Sequence, residues 1–248
     1  CPGFQASTTV ADDRQAHLGM TSVSVVEVGV AGGAGLLPLE RSAERVGNMA
    51  GIHIDVLGFD TGVGLPKPED YRDQPNMWFE GQLPMDQDAL KQQLKRASLR
   101  LGPVKETVPQ FIAEERAPLA FIAFDLDLYT STRDACEILL APYPRLLPRV
   151  FAYFDDIMGH TYNDFAGERL AMSEFNQNNA MRKFSPIYGL KSFVPRRFAN
   201  ISWDCMYIAH LFEHPQYCTL DSRSKAVYTD ERGLDLRTQV DSDWRSLL

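Results

Sequence analysis

Cysteine is scarce and badly placed for chemistry. The 248 residues hold four, Cys1, Cys136, Cys205 and Cys218, at wide and irregular spacing. They make no Cys-x-x-Cys pair and no zinc pattern, so free or buried thiols in a reducing cytoplasm are expected. Long apolar runs are also missing. No window approaches the ~18 consecutive apolar residues that point to a membrane helix. No basic stretch followed by an apolar one opens the chain, so no secretory leader is expected. The first residue is Cys1 rather than Met, which leaves an upstream segment open. Positive charge is in deficit too: 25 Lys and Arg stand against 33 Asp and Glu, for a formal charge of −8. Nucleic-acid binders carry a basic stripe, and the densest basic cluster here is Pro195-Arg196-Arg197. Neither DNA or RNA nor a membrane is the expected partner.

What is present is ordinary globular composition, 44% hydrophobic and 23% charged, with enough chain for one large domain. Residues 1–20 are polar and read as an arm, 21–218 as the domain, and 219–248 as a polar tail. Arm and tail are candidates for packing against a second copy in a homo-oligomer.

Four apolar runs read as strands buried on both faces: SVSVVEVGV (22–30), GIHIDVLGFD (51–60), PLAFIAFDLDLY and RVFAYFDD. Helical segments alternate with them: LLPLERSAERVGNM, MDQDALKQQLKRASLRL (85–101), STRDACEILLAPYPRLL with a break near Pro142 and Pro144, and AGERLAMSEFNQNN. PVKETVPQFIAEER reads as a short strand or turn and then a helical turn. KSFVP and WDCMYIAHLF read as closing strands, the second antiparallel at the edge. The Pro-rich stretch 62–84 is a loop, long enough for a lid. Alternation of this kind indicates an α/β fold: a Rossmann-like, mostly parallel sheet with helices on both faces and an antiparallel edge strand. In such sheets ligands bind beyond the carboxyl ends of the strands. There the sequence places Glu27 and AGGAG, Asp60, Asp125 with Asp127, and Asp155 with Asp156.

VEVGVAGGAG lies between a strand and a helix, the context of a nucleotide loop, but Ala31 breaks the dinucleotide pattern G-x-G-x-x-G. The stretch fits acid-x-Gly-x-small-x-Gly on Glu27, Gly29, Ala31 and Gly33. An acid there repels a pyrophosphate and suits an ammonium group. Asp60, at the end of the next strand, is placed to accept both hydroxyls of a ribose. An amino-acid end, a ribose and no phosphate describe S-adenosylmethionine. Taken singly, the loop reads as well as a tight turn, Asp60 as a turn residue, and Asp155 or Asp156 as a helix N-cap. In order, on successive strands, they favour binding.

EVGVAGG, GFDTGVGLP, FDLDLYTSTRDA and FDDI…AGERLAMSEF, in that order, resemble the macrocin O-methyltransferase family of class I S-adenosylmethionine-dependent methyltransferases. The resemblance spans roughly residues 22–180. It implies methylation of a hydroxyl on a small molecule, a sugar or other vicinal diol. It also implies a magnesium ion held by Asp125, Asp155 and Asp156, with Asp125 both donor-site residue and general base. This chain departs from the family at Pro148-Arg149, where Gly-Gly is usual, and at Ile157, where Tyr is usual. Asp127 is expected to face away from Asp125 and to cap the helix begun at Thr130-Ser131-Thr132. Tyr129, Trp78 and Phe79 are candidates for contact with adenine or acceptor, with core packing as the alternative. His160 reads equally as a pocket residue or a surface loop histidine, and His210 and His214 read as structural. The competing functions are a different reaction on the same fold and a non-catalytic binding protein.

Overall fold

The computed structural model describes residues 20–193 and 200–219. The arm and the tail lie, but for Met20 and Thr219, outside the described residues, as do residues 195–197 with their basic cluster. The unit described below ends at Tyr217.

Its elements follow in chain order: β1 (Ser22–Val28), α1 (Leu36–Ala50), β2 (His53–Asp60), α2 (Gln87–Gln93), β3 (Ser98–Leu101), α3 (Val104–Ala113), β4 (Leu119–Phe124), α4 (Tyr129–Cys136), β5 (Leu146–Phe154), α5 (Gly167–Asn178), β6 (Arg182–Pro186), α6 (Leu190–Phe193) and β7 (Met206–Leu211). The seven strands form one sheet in the order β3-β2-β1-β4-β5-β7-β6. From β3 to β5 every pairing is parallel, while β7 runs antiparallel to both β5 and β6. The antiparallel strand expected at the edge is therefore second from it, with β6 outermost. All six residues of β4 and six of seven in β1 are buried. Successive side chains point to opposite faces, so both faces of the sheet centre are covered. Phe124 and Phe154, at the ends of β4 and β5, stack with centroids 4.5 Å apart, and Phe184 meets both edge-on.

Three segments differ from expectation. The helix expected over 85–101 stops at Gln93, and 98–101 is strand β3. Glu40, 7% exposed on α1, accepts the backbone N–H groups of Lys95, Arg96 and Ala97 through one carboxylate oxygen. Those amides are thereby withdrawn from any helix. Over 104–113 a full helix forms in spite of Pro109, because Val104, Thr107, Val108 and Phe111 make one buried stripe. The stripe outweighs the roughly 3 kcal/mol that an interior proline costs. Finally, Lys191–Phe193 belong to the short helix α6 rather than to a strand, and the closing strand is β6 instead. Among the described residues no helix is long and apolar enough to cross a membrane.

Candidate active site

The parallel register brings four strand ends to one rim. Val28 pairs with both Phe59 and Phe124, and Phe124 pairs with Phe154. Backbone bonds carry the ladder one residue further. Gly29 N–H reaches the Phe59 carbonyl at 2.8 Å, Asp125 N–H the Val28 carbonyl at 2.9 Å, and Asp155 N–H the Phe124 carbonyl at 3.0 Å. Asp125 and Asp155 thus stand side by side on adjacent central strands, where the backbone leaves the sheet.

Asp125, Asp155 and Asp156 each direct a carboxylate oxygen to a common point, all three within 4.8 Å of one another. The sequence-predicted metal ligands are brought together. Hydroxyl donors orient two of them: Tyr153 Oη–H donates to Asp155 Oδ1, and Tyr162 Oη–H to Asp156 Oδ1, both at 2.6 Å. Asp156 Oδ2 is buried and makes no hydrogen bond among the described residues, with Asp127 lying against the same carboxylate. A buried carboxylate oxygen without a donor is costly, and an all-oxygen donor set with one such atom suits a hard divalent cation. Asp125 is open to solvent on one side. Even so its carboxyl is pushed up to about 7, first by dehydration and then by Asp155 and Asp156.

Asp127 does not cap α4. β4 ends at Phe124, the strand alternation lapses, and Asp127 adopts a left-handed backbone with φ +62°. That turns its side chain into the cluster. It is buried, and its carboxyl is pushed up to about 8, first by burial and then by Asp156 beside it. The helix cap comes from far away. Asp73, fully buried in the Pro-rich loop, accepts the Thr130 N–H at 2.8 Å and the Thr130 hydroxyl at 3.0 Å.

On the β1 and β2 side, Gly29 has φ +89°, and a Cβ there would lie 1.7 Å from the Asp125 carbonyl oxygen. Only glycine fits that crossing. Glu27 is 3% exposed beneath the loop, against Gly35, where a Cβ would meet its Oε1 at 2.1 Å. Burial, then Asp125, Asp155 and Asp60, hold its carboxyl well above the usual range. Ala31 takes φ +43° and Gly33 +82°. Asp60 is already occupied. Its Oδ2 accepts the N–H groups of Val30 and Ala31, each at 2.9 Å, and its Oδ1 that of Gly62 at 2.6 Å. The acid expected to take a ribose also holds the glycine loop in shape.

The loop over 62–84 is anchored in its middle. Asp73 ties it to α4. The Gln74 side-chain N–H donates to the Thr161 carbonyl at 3.1 Å, and Arg72 stacks on Tyr129 at 4.6 Å. Tyr129 is buried, its hydroxyl donating to Glu174 at 2.6 Å, so it belongs to this network and not to an adenine face. Trp78 keeps a buried Nε1–H without an acceptor among the described residues, while Phe79 is 63% exposed. His160 is exposed; His210 bonds Tyr217 Oη at 2.7 Å and His214 is buried, both structural placements.

Sequence reasoning missed Glu168, in the first turn of α5, which is fully buried and accepts N–H groups from both acid-bearing loops. No spacing rule announces it. Tyr153 was findable, since it lies two residues before Asp155 on the same strand face.

Neither a protein-family model nor a curated protein matches the chain. Solved structures do. The crystal structure of CalS11, a calicheamicin methyltransferase, superposes with a TM-score of 0.56 at 23% identity, over 75% of this chain and 74% of that one. The fold is that of the class I methyltransferases. An apo structure of CalS11, named there as TDP-rhamnose 3′-O-methyltransferase, aligns over the same shares at TM-score 0.47 and 23% identity. An O-methyltransferase from Bacillus cereus in complex with SAH aligns at 0.46 and 13%, over 84% of this chain and 80% of that one.

Proposed function

We propose that the chain is an S-adenosylmethionine- and magnesium-dependent O-methyltransferase of the macrocin type. It acts in the cytoplasm on a hydroxyl of a small vicinal diol such as a sugar. The observation that carries this is the convergence of Asp125, Asp155 and Asp156 beside the glycine loop, with Asp156 Oδ2 buried and making no hydrogen bond among the described residues. Those three residues would hold the cation. Bound there, magnesium supplies a Lewis acid that favours the ionised form of an acceptor hydroxyl. S-adenosylmethionine supplies the electrophilic methyl group.

The rest of the work falls to the chain. Asp125 receives the hydroxyl proton as general base. Gly29 and Gly33 let the backbone approach the donor, and Glu27 sits beneath to face its ammonium group. Asp60 shapes the loop and presents a carboxylate edge to the ribose. Tyr153 and Tyr162 hold Asp155 and Asp156 in orientation. Positioning of two bound reactants supplies much of the acceleration in such a transfer.

Calorimetric titration of S-adenosylmethionine, with and without magnesium, tests the donor site, and a diol screen tests turnover. Asp125→Asn should leave the fold in place and reduce turnover at least ~10³-fold, by loss of both a ligand and the base. Unchanged turnover in that variant, or no donor binding by the native chain, overturns the reading.

A further inference from the structure

We infer that Glu168 is a positioning residue that sets the spacing of the acid cluster. The inference rests on the cation-site reading above and adds a residue that the reading does not require.

The last backbone rung between β4 and β5 is Asp155 N–H to Phe124 C=O. Beyond it the two chains diverge into separate loops, one carrying Asp125 and the other Asp156. Nothing in the sheet then fixes their separation. Glu168 takes over at that level. It is fully buried at the start of α5, its Oε1 accepting the Leu126 N–H at 3.3 Å and its Oε2 the Asp156 N–H at 3.1 Å. Leu126 follows Asp125 directly, and Asp156 is itself one of the three acids. One carboxylate therefore continues the ladder with a side chain where main-chain pairing has ended.

The chemistry of the bridge demands a carboxylate. Both atoms facing Glu168 are N–H donors, so both of its oxygens must accept. An amide of the same shape offers one acceptor and one donor. Glutamine at 168 leaves either Leu126 or Asp156 facing an N–H, and one acid-bearing loop loses its tether. Carboxylates that hold the groups around a metal commonly alter its affinity 10–100-fold when replaced. A purely structural strut would change stability alone. Glu40 provides that comparison: it is a buried carboxylate that accepts three backbone N–H groups around Lys95–Ala97, in the segment leading to β3.

The experiment is Mn²⁺ binding, followed by electron paramagnetic resonance of the free ion, on the native chain, Glu168→Gln and Glu40→Gln. It is paired with thermal melts and with calorimetric S-adenosylmethionine affinity in the absence of metal. The expected result is Mn²⁺ affinity ~10–100-fold weaker in Glu168→Gln. Its melt stays cooperative and its metal-free donor affinity stays within about twofold of native, while Glu40→Gln melts lower with native Mn²⁺ affinity. Where Glu168→Gln melts below the assay temperature, Glu168→Asp, which keeps the charge but reaches only one of the two amides, is read by the same criterion. Native Mn²⁺ affinity in a folded Glu168 variant overturns this inference and leaves the cation site standing. A native chain that binds no Mn²⁺ overturns the cation site and this inference together.

Discussion

Two halves of one rim end their strands in acids and treat them in opposite ways. At the end of β2, Asp60 is surrounded by backbone donors: Val30, Ala31 and Gly62 all give it an N–H. At the ends of β4 and β5, Asp125, Asp127, Asp155 and Asp156 crowd one another, and burial and mutual repulsion push Asp125 up to about 7 and Asp127 up to about 8. The sequence pattern is the same in both places, an apolar strand closing on a carboxylate. What differs is the supply of donors. A satisfied acid shapes a loop, whereas a crowded cluster of buried carboxylates stores a demand for positive charge.

The most severe way to break this contrast is at the contact between the halves. Gly29 of the glycine loop crosses the Asp125 carbonyl so closely that a Cβ has no room, and its φ of +89° is itself unfavourable to an L side chain. Gly29→Ala should cost about 3 kcal/mol or more, measured by urea denaturation, and should weaken donor and cation binding together. A loss below ~1 kcal/mol would mean that the two loops can part freely, and the idea of a joint scaffold would fall.

Next in size is the response of the crowded half to pH and metal. Asp125 and Asp127 titrate near 3.9 in the unfolded chain and at about 7 and about 8 in the folded one. Above the unfolded values the folded state binds more protons than the unfolded, so stability falls as pH rises, and Glu27 and Glu168, raised chiefly by burial, act in the same direction. Glu114, drawn down to about 2 by Arg100 and Arg116, acts below this window. The metal-free protein should therefore melt lower at pH 8 than at pH 5. Magnesium at 100-fold over its Kd should restore about 2.7 kcal/mol at pH 8, or roughly 5–10 °C, and less at pH 5, where protons compete. A melt indifferent to both pH and magnesium would remove the cluster as a cation site.

Much of the sheet was legible because buried parallel strands write themselves as unbroken apolar runs, as LAFIAF and RVFAYF do. The convergence of Asp125, Asp155 and Asp156 was legible for the same reason: acids directly after such runs emerge at one rim. Long-range polar contacts were not. Glu40 ending a helix 55 or more residues away, Asp73 capping α4 and Glu168 bridging two loops each pair residues that no local period connects. Asp127 was misplaced because alternation was extended one turn too far, past the residue where the strand stops and φ turns positive.

The smallest expected effect is the one that best sharpens the comparison, because it asks whether Asp60 is only a loop holder. Oδ2 serves both Val30 and Ala31, and Oδ1 serves Gly62, which is buried. Asp60→Asn can keep its oxygen toward the first two amides and turn its amide group toward Gly62. The buried Gly62 N–H is then left without an acceptor, for a stability loss of about 1–2 kcal/mol. A ribose diol is a harder test, since two hydroxyl donors need two acceptor oxygens and the amide has one. If Asp60 contacts the ribose, S-adenosylmethionine should bind Asp60→Asn at least ~10-fold more weakly, an effect of about 1.4 kcal/mol beyond the loss in stability. Equal affinity at the reduced stability would assign Asp60 to the loop alone and move ribose recognition to another group on this rim.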